Sequence, residues 1–354
     1  MEINKLRKEV DRLDVNILQL LNQRTRLILK IGKIKNKNGM SIYVPDREKE
    51  VYTKLAKKNN GPLPNKNIRS IYREIMSGAL TLEKQIKIAY LGPQFTFTHL
   101  AGLKKFGSSV KYVPCDSIGD VFLEVEKERC DYGVVPIENS IEGAVNHTLD
   151  MFIDSGLKIF TEVYLEISHN LLGSGTIENV AKVYSKAEVF GQCRLWLKAN
   201  MPRSQLIETS STSKAAEIAS KHKNLGCIAS LLAGKRYKLK VLATSIEDSP
   251  HNVTRFLVIG KQMPPKPTGD DKTSIMFSIR DKIGALHDIL VPFKKEHINL
   301  TKIESRPSKL EAWEYYFFVD LEGHYENKKV KKALNELKKH CTYFKILGSY
   351  PKGE

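Results

Sequence analysis

From Ile3 to Lys37 the chain has no proline, and the one glycine of this stretch, Gly32, lies near its end. Apolar residues recur at Ile3, Leu6, Val10, Leu13, Ile17, Leu20, Leu27, Ile31 and Ile34. Steps of three and four residues put them all in one seam of an α-helix, as in coiled coils. A helix of this length, roughly 50 Å, cannot cover its own seam. Arg24 stands in the seam where Leu or Ile is expected. A buried unpaired cation is too costly to keep by accident. A second row at seven-residue spacing, Arg7, Asp14, Leu21, Ile28 and Lys35, leans Arg7 and Lys35 toward the packed face. Arg24 and Lys35 are about 16 Å apart along the axis, which two long side chains bridge around one small ligand. Arg7 is about 42 Å from Lys35 on the same scale, so it reaches such a site only on a partner chain. The expectation is an intertwined homodimer.

A second helix is predicted from Pro45-Asp46-Arg47-Glu48, with proline and acids in its first turn, to about Lys58. The loop Asn59-Asn60-Gly61-Pro62-Leu63-Pro64 ends it. A third helix, Asn67 to about Lys84, brings Ile68, Tyr72, Ile75, Ala79 and Glu83 close to one face. The formal net charge is +17, and residues 1–85 hold 19 Lys/Arg against 9 Asp/Glu. Such an excess implies an anionic partner. Aromatic residues are not interleaved with the basic ones, which argues against nucleic acid. No apolar run reaches membrane-spanning length, and the charged, alternating first twenty residues are unlike a signal peptide. A cytoplasmic protein is expected. Cys115, Cys130, Cys193, Cys227 and Cys341 are scattered without a C-x-x-C pair, against both a disulfide framework and a metal site.

Residues 86–262 alternate strand and helix patterns in two sets, the signature of two small α/β lobes with a cleft between them. The first set runs Ile86–Leu91, helix Thr96–Phe106, strand Val110–Val113, helix Ser117–Arg129 and strand Val134–Ile137. Asp131-Tyr132-Gly133 reads as a turn before that last strand, and Glu138-Asn139-Ser140 as a polar cluster just past its carboxyl end, where open α/β sheets bind ligands. Helix capping is the competing reading of that cluster. Ala144–Phe152 has helical spacing. In the second set, strands Val180–Tyr184, Gln205–Ile207, Leu225–Ala229 and Val241–Ile246 alternate with helices Phe190–Ala199 and Thr212–Lys221. The turn Thr209-Ser210-Ser211-Thr212-Ser213 offers hydroxyls and helix N–H groups to an anion. Thr254-Arg255 opens the last apolar strand, Phe256–Ile259.

Met263-Pro264-Pro265-Lys266-Pro267-Thr268-Gly269-Asp270-Asp271 marks a domain boundary. Beyond it, strand Thr273–Ile279, helix Ala285–Glu296, strands Ile298–Glu304 and Trp313–Leu321, helix Asn327–His340 and strand Tyr343–Leu347 give the ferredoxin-like order βαββαβ. The domains are therefore 1–85, 86–262 and 272–350.

Three resemblances carry these readings further. The set Arg7, Arg24, Lys35, Arg47, Glu48 and Glu83 resembles the all-helical chorismate mutase family over all of residues 1–85. That reaction, a Claisen rearrangement, needs a dicarboxylate held in a reactive chair and charge stabilised on the breaking ether oxygen. The resemblance implies that Arg7 from the partner, Arg24 and Arg47 hold carboxylates, Lys35 faces the ether oxygen, and Glu48 accepts from the ring hydroxyl. Glu83 stands where some members have Gln, so it donates to the ether oxygen only when protonated. Val44 replaces an Asp common near the substrate hydroxyl.

LGPQFTFTHLA, VPIENSIEGAVNHTLD, the Ser/Thr turn and Thr254-Arg255-Phe256, in this order, resemble prephenate dehydratase, a two-lobed α/β domain like periplasmic binding proteins. Such an enzyme expels water and carbon dioxide from prephenate to give phenylpyruvate. The resemblance implies Thr254 at the leaving hydroxyl, Arg255 as supporting charge, and Glu138, Asn139, Ser140, Ser211 and Thr212 lining the cleft. Glu138, His99 and His147 stay open as the acid, and Phe95 sits where a small residue, usually Gly, is expected.

Gly284-Ala285-Leu286 and Glu304-Ser305-Arg306-Pro307 resemble the effector motifs of ACT regulatory domains, implying L-phenylalanine as effector, feedback inhibition of phenylalanine biosynthesis and pairing of copies. Neither a cofactor nor a metal is implied. The reading from another class is a non-catalytic ligand sensor, which would need neither Arg24 in a seam nor Thr254-Arg255 at a cleft.

Overall fold

The computed structural model describes residues 2–38, 43–264, 266–308 and 315–353. Pro265 of the boundary segment and Trp313, the expected start of a strand, lie outside the described residues. The chain forms two compact units, one of residues 1–87 with 105–111 and one of residues 88–104 with 112–354.

In the first unit the expected helices are α1 (Glu2–Lys37), α2 (Pro45–Lys58) and α3 (Asn65–Glu83). Pro45 fits the first position of α2 because its missing N–H has no intrahelical partner to lose. Ile3, Leu6, Val10, Leu13, Ile17 and Leu20 each remain more than half exposed. One copy of the chain therefore leaves a long apolar stripe uncovered, more than isolated surface residues account for.

The second unit contains β1 (Lys87–Leu91), α4 (Phe97–Phe106), β2 (Lys111–Cys115), α5 (Ile118–Glu126), β3 (Tyr132–Asn139), β4 (Gly143–Ala144), α6 (Asn146–Asp154) and β5 (Lys158–Glu166); the last two residues of α4 and the first of β1 and β2 cluster with the first unit. Then come β6 (Asn170–Gly173), β7 (Lys182–Ser185), α7 (Ala187–Gln192), α8 (Arg194–Asn200), β8 (Gln205–Glu208), α9 (Thr212–Ala219), β9 (Leu225–Ala229), α10 (Leu231–Arg236), β10 (Lys240–Ala243) and β11 (Val253–Gly260). The chain ends with β12 (Asp271–Ile279), α11 (Ala285–Lys295), β13 (Leu300–Pro307), β14 (Tyr315–Glu322), α12 (Lys328–Lys338) and β15 (Cys341–Pro351). Three sheets result, ordered β2-β1-β3-β11-β5 with β4 beside β3, β10-β6-β9-β7-β8, and β13-β14-β12-β15. The last, with its two helices, is the expected ferredoxin-like domain.

Several boundaries differ from the sequence reading. Tyr132 and Gly133, expected in a turn, already belong to β3, and so do Glu138 and Asn139, expected beyond its end. The cause is β11, which pairs along β3 from Ile259↔Gly133 to Thr254↔Asn139 and so extends both strands. Gly143-Ala144 then folds back onto Asn139 and Glu138, which delays α6 to Asn146. The helix expected at Phe190–Ala199 is two, divided at Cys193, because Asp248 accepts the N–H groups of Leu195 and Trp196 and starts α8 afresh. Strands β5 and β6 and helix α10 have no counterpart in the sequence reading.

The boundary segment does not separate the cores. Met276, Tyr316, Phe318, Leu347 and Tyr350 of the third sheet share one cluster with Val135, Ile159 and Leu257 of the first and with Leu149 of α6. Gly348 permits the closest approach, since a Cβ there would lie 2.3 Å from the Ile159 carbonyl oxygen. No helix among the described residues is long and apolar enough to cross a membrane.

Candidate active sites

The three helices surround a cavity of about 380 Å³, a volume suited to one small ligand. Arg24 and Lys35 reach it from α1, Arg47 and Glu48 from α2, and Glu83 from α3. Arg7 does not line it, in keeping with its distance along α1. Arg24 Nη1 and Glu83 Oε2 are buried without a hydrogen-bond partner among the described residues. An uncompensated pair of such groups beside a cavity is what a site awaiting an anion and an acceptor would leave.

Burial pushes the Glu83 carboxyl above its ordinary pKa, with the charge of Lys35 opposing. Room for this carboxyl comes from Gly32 of α1, where a Cβ would meet Glu83 Oε2 at 2.7 Å. Glu48 accepts from Tyr43 O–H at 2.6 Å and from Tyr52 O–H at 3.1 Å. Burial and then the Glu48 charge push the Tyr52 phenol up, so it stays a donor near neutral pH. Arg47 is largely exposed and pairs with Glu50. Tyr43, Arg73 and Lys105 also line the cavity but escaped the sequence reading. Arg73 had a signal, a cation near the buried face of α3. Lys105 had none, lying beyond the helical segment.

In the second unit the paired strands β3 and β11 place Thr254 opposite Asn139 and Arg255 opposite Glu138. Successive side chains of a strand point to opposite faces, so each face receives one pair. On one face Asn139 Oδ1 accepts the N–H groups of Ile141 and Glu142 at 2.9 and 3.0 Å, which fixes the amide. Its Nδ2 then donates to Thr254 Oγ1 at 2.8 Å and to Asn252 Oδ1 at 2.7 Å. With its oxygen accepting, the Thr254 hydroxyl keeps its proton for another acceptor. Asn252 donates to Gln192 Oε1 at 2.9 Å, and His169 Nε2 lies 2.7 Å from the same oxygen. An amide oxygen only accepts, so the His169 proton sits on Nε2. Burial lowers the pKa of His169, opposed by the Gln192 contact, and Nδ1 is buried without a hydrogen-bond partner among the described residues. Asn252, Gln192 and His169 complete a chain running from Thr254, and none was read from the sequence.

The other face carries two further residues of the expected set. Arg255 is buried and committed: Nε to Glu162 at 2.7 Å, Nη1 to Asp320 at 2.5 Å and Nη2 to the Tyr350 hydroxyl at 3.1 Å. Glu138 turns toward Lys302 at 3.1 Å and Arg255 at 3.6 Å. Neither shares the face of Thr254 and Asn139; period-two alternation separates neighbours that the sequence reads as one cluster. Burial works to raise the pKa of Asp320, yet Arg255, Ser274 and Lys272 together hold it below the ordinary carboxylate value.

Ser140 closes its loop, donating to the His251 carbonyl at 2.8 Å and accepting from Val253 N–H at 2.9 Å. Ser211 caps α9, accepting from Lys214 N–H at 3.0 Å, and Thr212 begins that helix buried. His99 Nδ1 accepts from Phe95 N–H at 3.1 Å, its ring stacks on Tyr90, and burial lowers its pKa, which fits a packed neutral ring. His147 is exposed. Phe95 has φ of 70°, the left-handed region where glycine is favoured, which explains the expectation of a small residue there.

In the third domain Gly284, at φ 80°, precedes α11, with Ala285 buried and Leu286 exposed. Along the edge strand β13, Ser305 and Pro307 are exposed while Glu304 and Arg306 are half-buried. Arg306 donates through Nε and Nη2 to Asp150 of α6 at 3.1 and 3.2 Å.

Residues 6–84 match the chorismate mutase type II family, residues 88–264 prephenate dehydratase and residues 273–339 the ACT domain. The chain is 54% identical over 356 residues to a bifunctional chorismate mutase/prephenate dehydratase of Aquifex aeolicus (strain VF5), covering 99% of this chain and 98% of the relative. A protein of the same description from Pseudomonas aeruginosa is 43% identical over 358 residues, again across 99% of this chain and 98% of the relative. The crystal structure of prephenate dehydratase from Arthrobacter aurescens in complex with L-Phe has a TM-score of 0.70 and 31% identity, over 75% of this chain and 90% of that one.

Proposed function

The chain belongs to the bifunctional chorismate mutase/prephenate dehydratase family, and from that premise we propose which residues carry its two reactions and how they are regulated. In the helical cavity Arg24, Arg47 and the partner's Arg7 hold the carboxylates of chorismate, Lys35 and protonated Glu83 stabilise charge on the breaking ether oxygen, and Glu48 accepts from the ring hydroxyl. The observation that carries this reading is that Arg24 Nη1 and Glu83 Oε2, both from residues lining this cavity, are buried without a hydrogen-bond partner among the described residues. No nucleophile is required, because positioning and electrostatic stabilisation supply the rearrangement.

Prephenate is then dehydrated at the face of Asn139 and Thr254. Thr254, its oxygen fixed by Asn139, donates to the leaving hydroxyl. Ser211 and Thr212 act through the start of α9, whose N–H groups suit a carboxylate. Ser140 shapes the loop that holds Asn139. Arg255 and Glu138 serve from behind, tying the reacting strands to the regulatory sheet.

The pathway is phenylalanine biosynthesis, and L-phenylalanine is the feedback effector, bound at Gly284-Ala285-Leu286 and Glu304-Ser305-Arg306-Pro307. The assembly is at least a homodimer, sealed along α1. The experiment is to supply chorismate and follow prephenate and then phenylpyruvate, with and without L-phenylalanine. Thr254→Ala should lower dehydratase turnover more than tenfold, about 1.4 kcal/mol of barrier, while mutase turnover is unaffected. Survival of dehydratase within that margin removes Thr254 from its role. Binding of L-phenylalanine without any kinetic effect keeps a sensor and removes the feedback.

A further inference from the structure

We propose that Lys105, which lies outside the three-helix segment, is a positioning residue of the mutase site and holds the Glu48 carboxylate in the orientation that receives the substrate hydroxyl. This rests on the mutase reading above. Lys105 falls inside the stretch matching prephenate dehydratase, residues 88–264. Residues 105–111 nevertheless cluster with the three helices, and Lys105 lines their cavity.

Its Nζ is 3.0 Å from Glu48 Oε2, and the two side chains are 19% and 11% exposed. Partial burial makes this pair worth more than a surface contact. The same Oε2 accepts from Tyr43 O–H, and Oε1 accepts from Tyr52 O–H. Without Lys105, neutral hydroxyls alone would hold a largely buried anion, an arrangement that charge burial disfavours. Arg47, next to Glu48 in the chain, is directed to Glu50. Arg24, Lys35 and Arg73 face the same cavity, but Lys105 is the cation placed at the carboxylate. Lys105 Nζ also lies 5.9 Å from the Tyr43 ring centroid, and Phe106 packs on that ring at 5.0 Å. The end of α4 thus braces both the carboxylate and one of its donors. A mutase made of the helical segment alone would lack this brace.

Glu48 accepts from a hydroxyl that is present before and during the rearrangement, so weakening its placement removes uniform binding and acts on KM. In the full-length enzyme, Lys105→Met should raise the KM for chorismate about tenfold, with kcat within about twofold. Lys105→Arg should restore KM to within about twofold of wild type. In a Glu48→Gln background the further change from Lys105→Met should shrink below about twofold, because partners in contact do not add. Dehydratase kinetics with supplied prephenate serve as the internal control and should not change.

An unchanged KM in Lys105→Met, an equal loss in both backgrounds, or no recovery with arginine overturns the proposal. If Lys105→Met also loses dehydratase activity, Lys105→Gln is scored by the same readouts and decides. A wild-type chain that does not turn over chorismate would instead sink the mutase reading itself.

Discussion

At the scale of single residues, Glu83 makes a sharp prediction. Its carboxyl has a raised pKa because it is buried, Lys35 opposing, and it donates only while protonated. Mutase activity should be full below that folded pKa and fall as pH rises through it. Glu83→Gln, which donates at every pH, should flatten this alkaline limb in a kcat/KM profile from pH 5 to 9; an unchanged limb removes Glu83 from the role. Gly32→Ala should damage the same step, since the new Cβ would displace the carboxyl. Arg24 was legible in the sequence because a cation broke an apolar series, and Glu83 because helical spacing put it on a packed face. Gln192, Asn252 and His169 were not legible. Their signal is the hydrogen bonds they make with one another and with Asn139, which join segments far apart in the sequence and exist only in the folded chain.

At the scale of elements, β3 and β11 show why a linear motif can mislead. Glu138-Asn139 and Thr254-Arg255 each read as one polar cluster, yet a strand sends neighbours to opposite faces. One face carries Asn139 and Thr254. The other meets the third sheet through Arg255, Asp320, Glu162, Lys272 and Tyr350. Removing one partner of a buried ion pair leaves the other unpaired and costs about 3–5 kcal/mol. Asp320→Ala should therefore destabilise the second unit by about that amount, read from urea unfolding followed on the unit's own signal. Glu138→Gln, with its half-exposed contact to Lys302, should cost less than about 1 kcal/mol. Asp320 has a depressed folded pKa, so its stabilisation is full above the unfolded carboxylate value near 4 and is lost as pH falls through the folded one. If Asp320→Ala unfolds at the wild-type urea midpoint, the network has no such weight. The proline-rich boundary segment lies between β11 of the first sheet and β12 of the third, but a composition signal says nothing about whether the cores on either side then merge.

At the scale of the whole molecule, the exposed seam of α1 and the remoteness of Arg7 are two aspects of one arrangement. The helix buries Gly32 and little else in a single copy. A second copy along the seam would cover its apolar residues and carry Arg7 across to the cavity formed by Arg24 and Lys35 of its neighbour. Each mutase site would then be built from two chains, and this gives a test that an isolated-subunit mechanism cannot pass. Arg7→Ala and Lys35→Ala should each abolish mutase activity alone. When the two proteins are unfolded together and refolded, half the dimers are mixed, and each mixed dimer has one site with both residues intact and one site with neither. A symmetric two-site dimer should thus regain about a quarter of wild-type mutase activity. Dehydratase activity, for which the proposed residues lie together in one chain, should be indifferent to the mixing. If mixing restores no mutase activity while size measurements confirm that subunits exchanged, Arg7 does not act across the seam, and the cavity must find its remaining carboxylate partner within one chain.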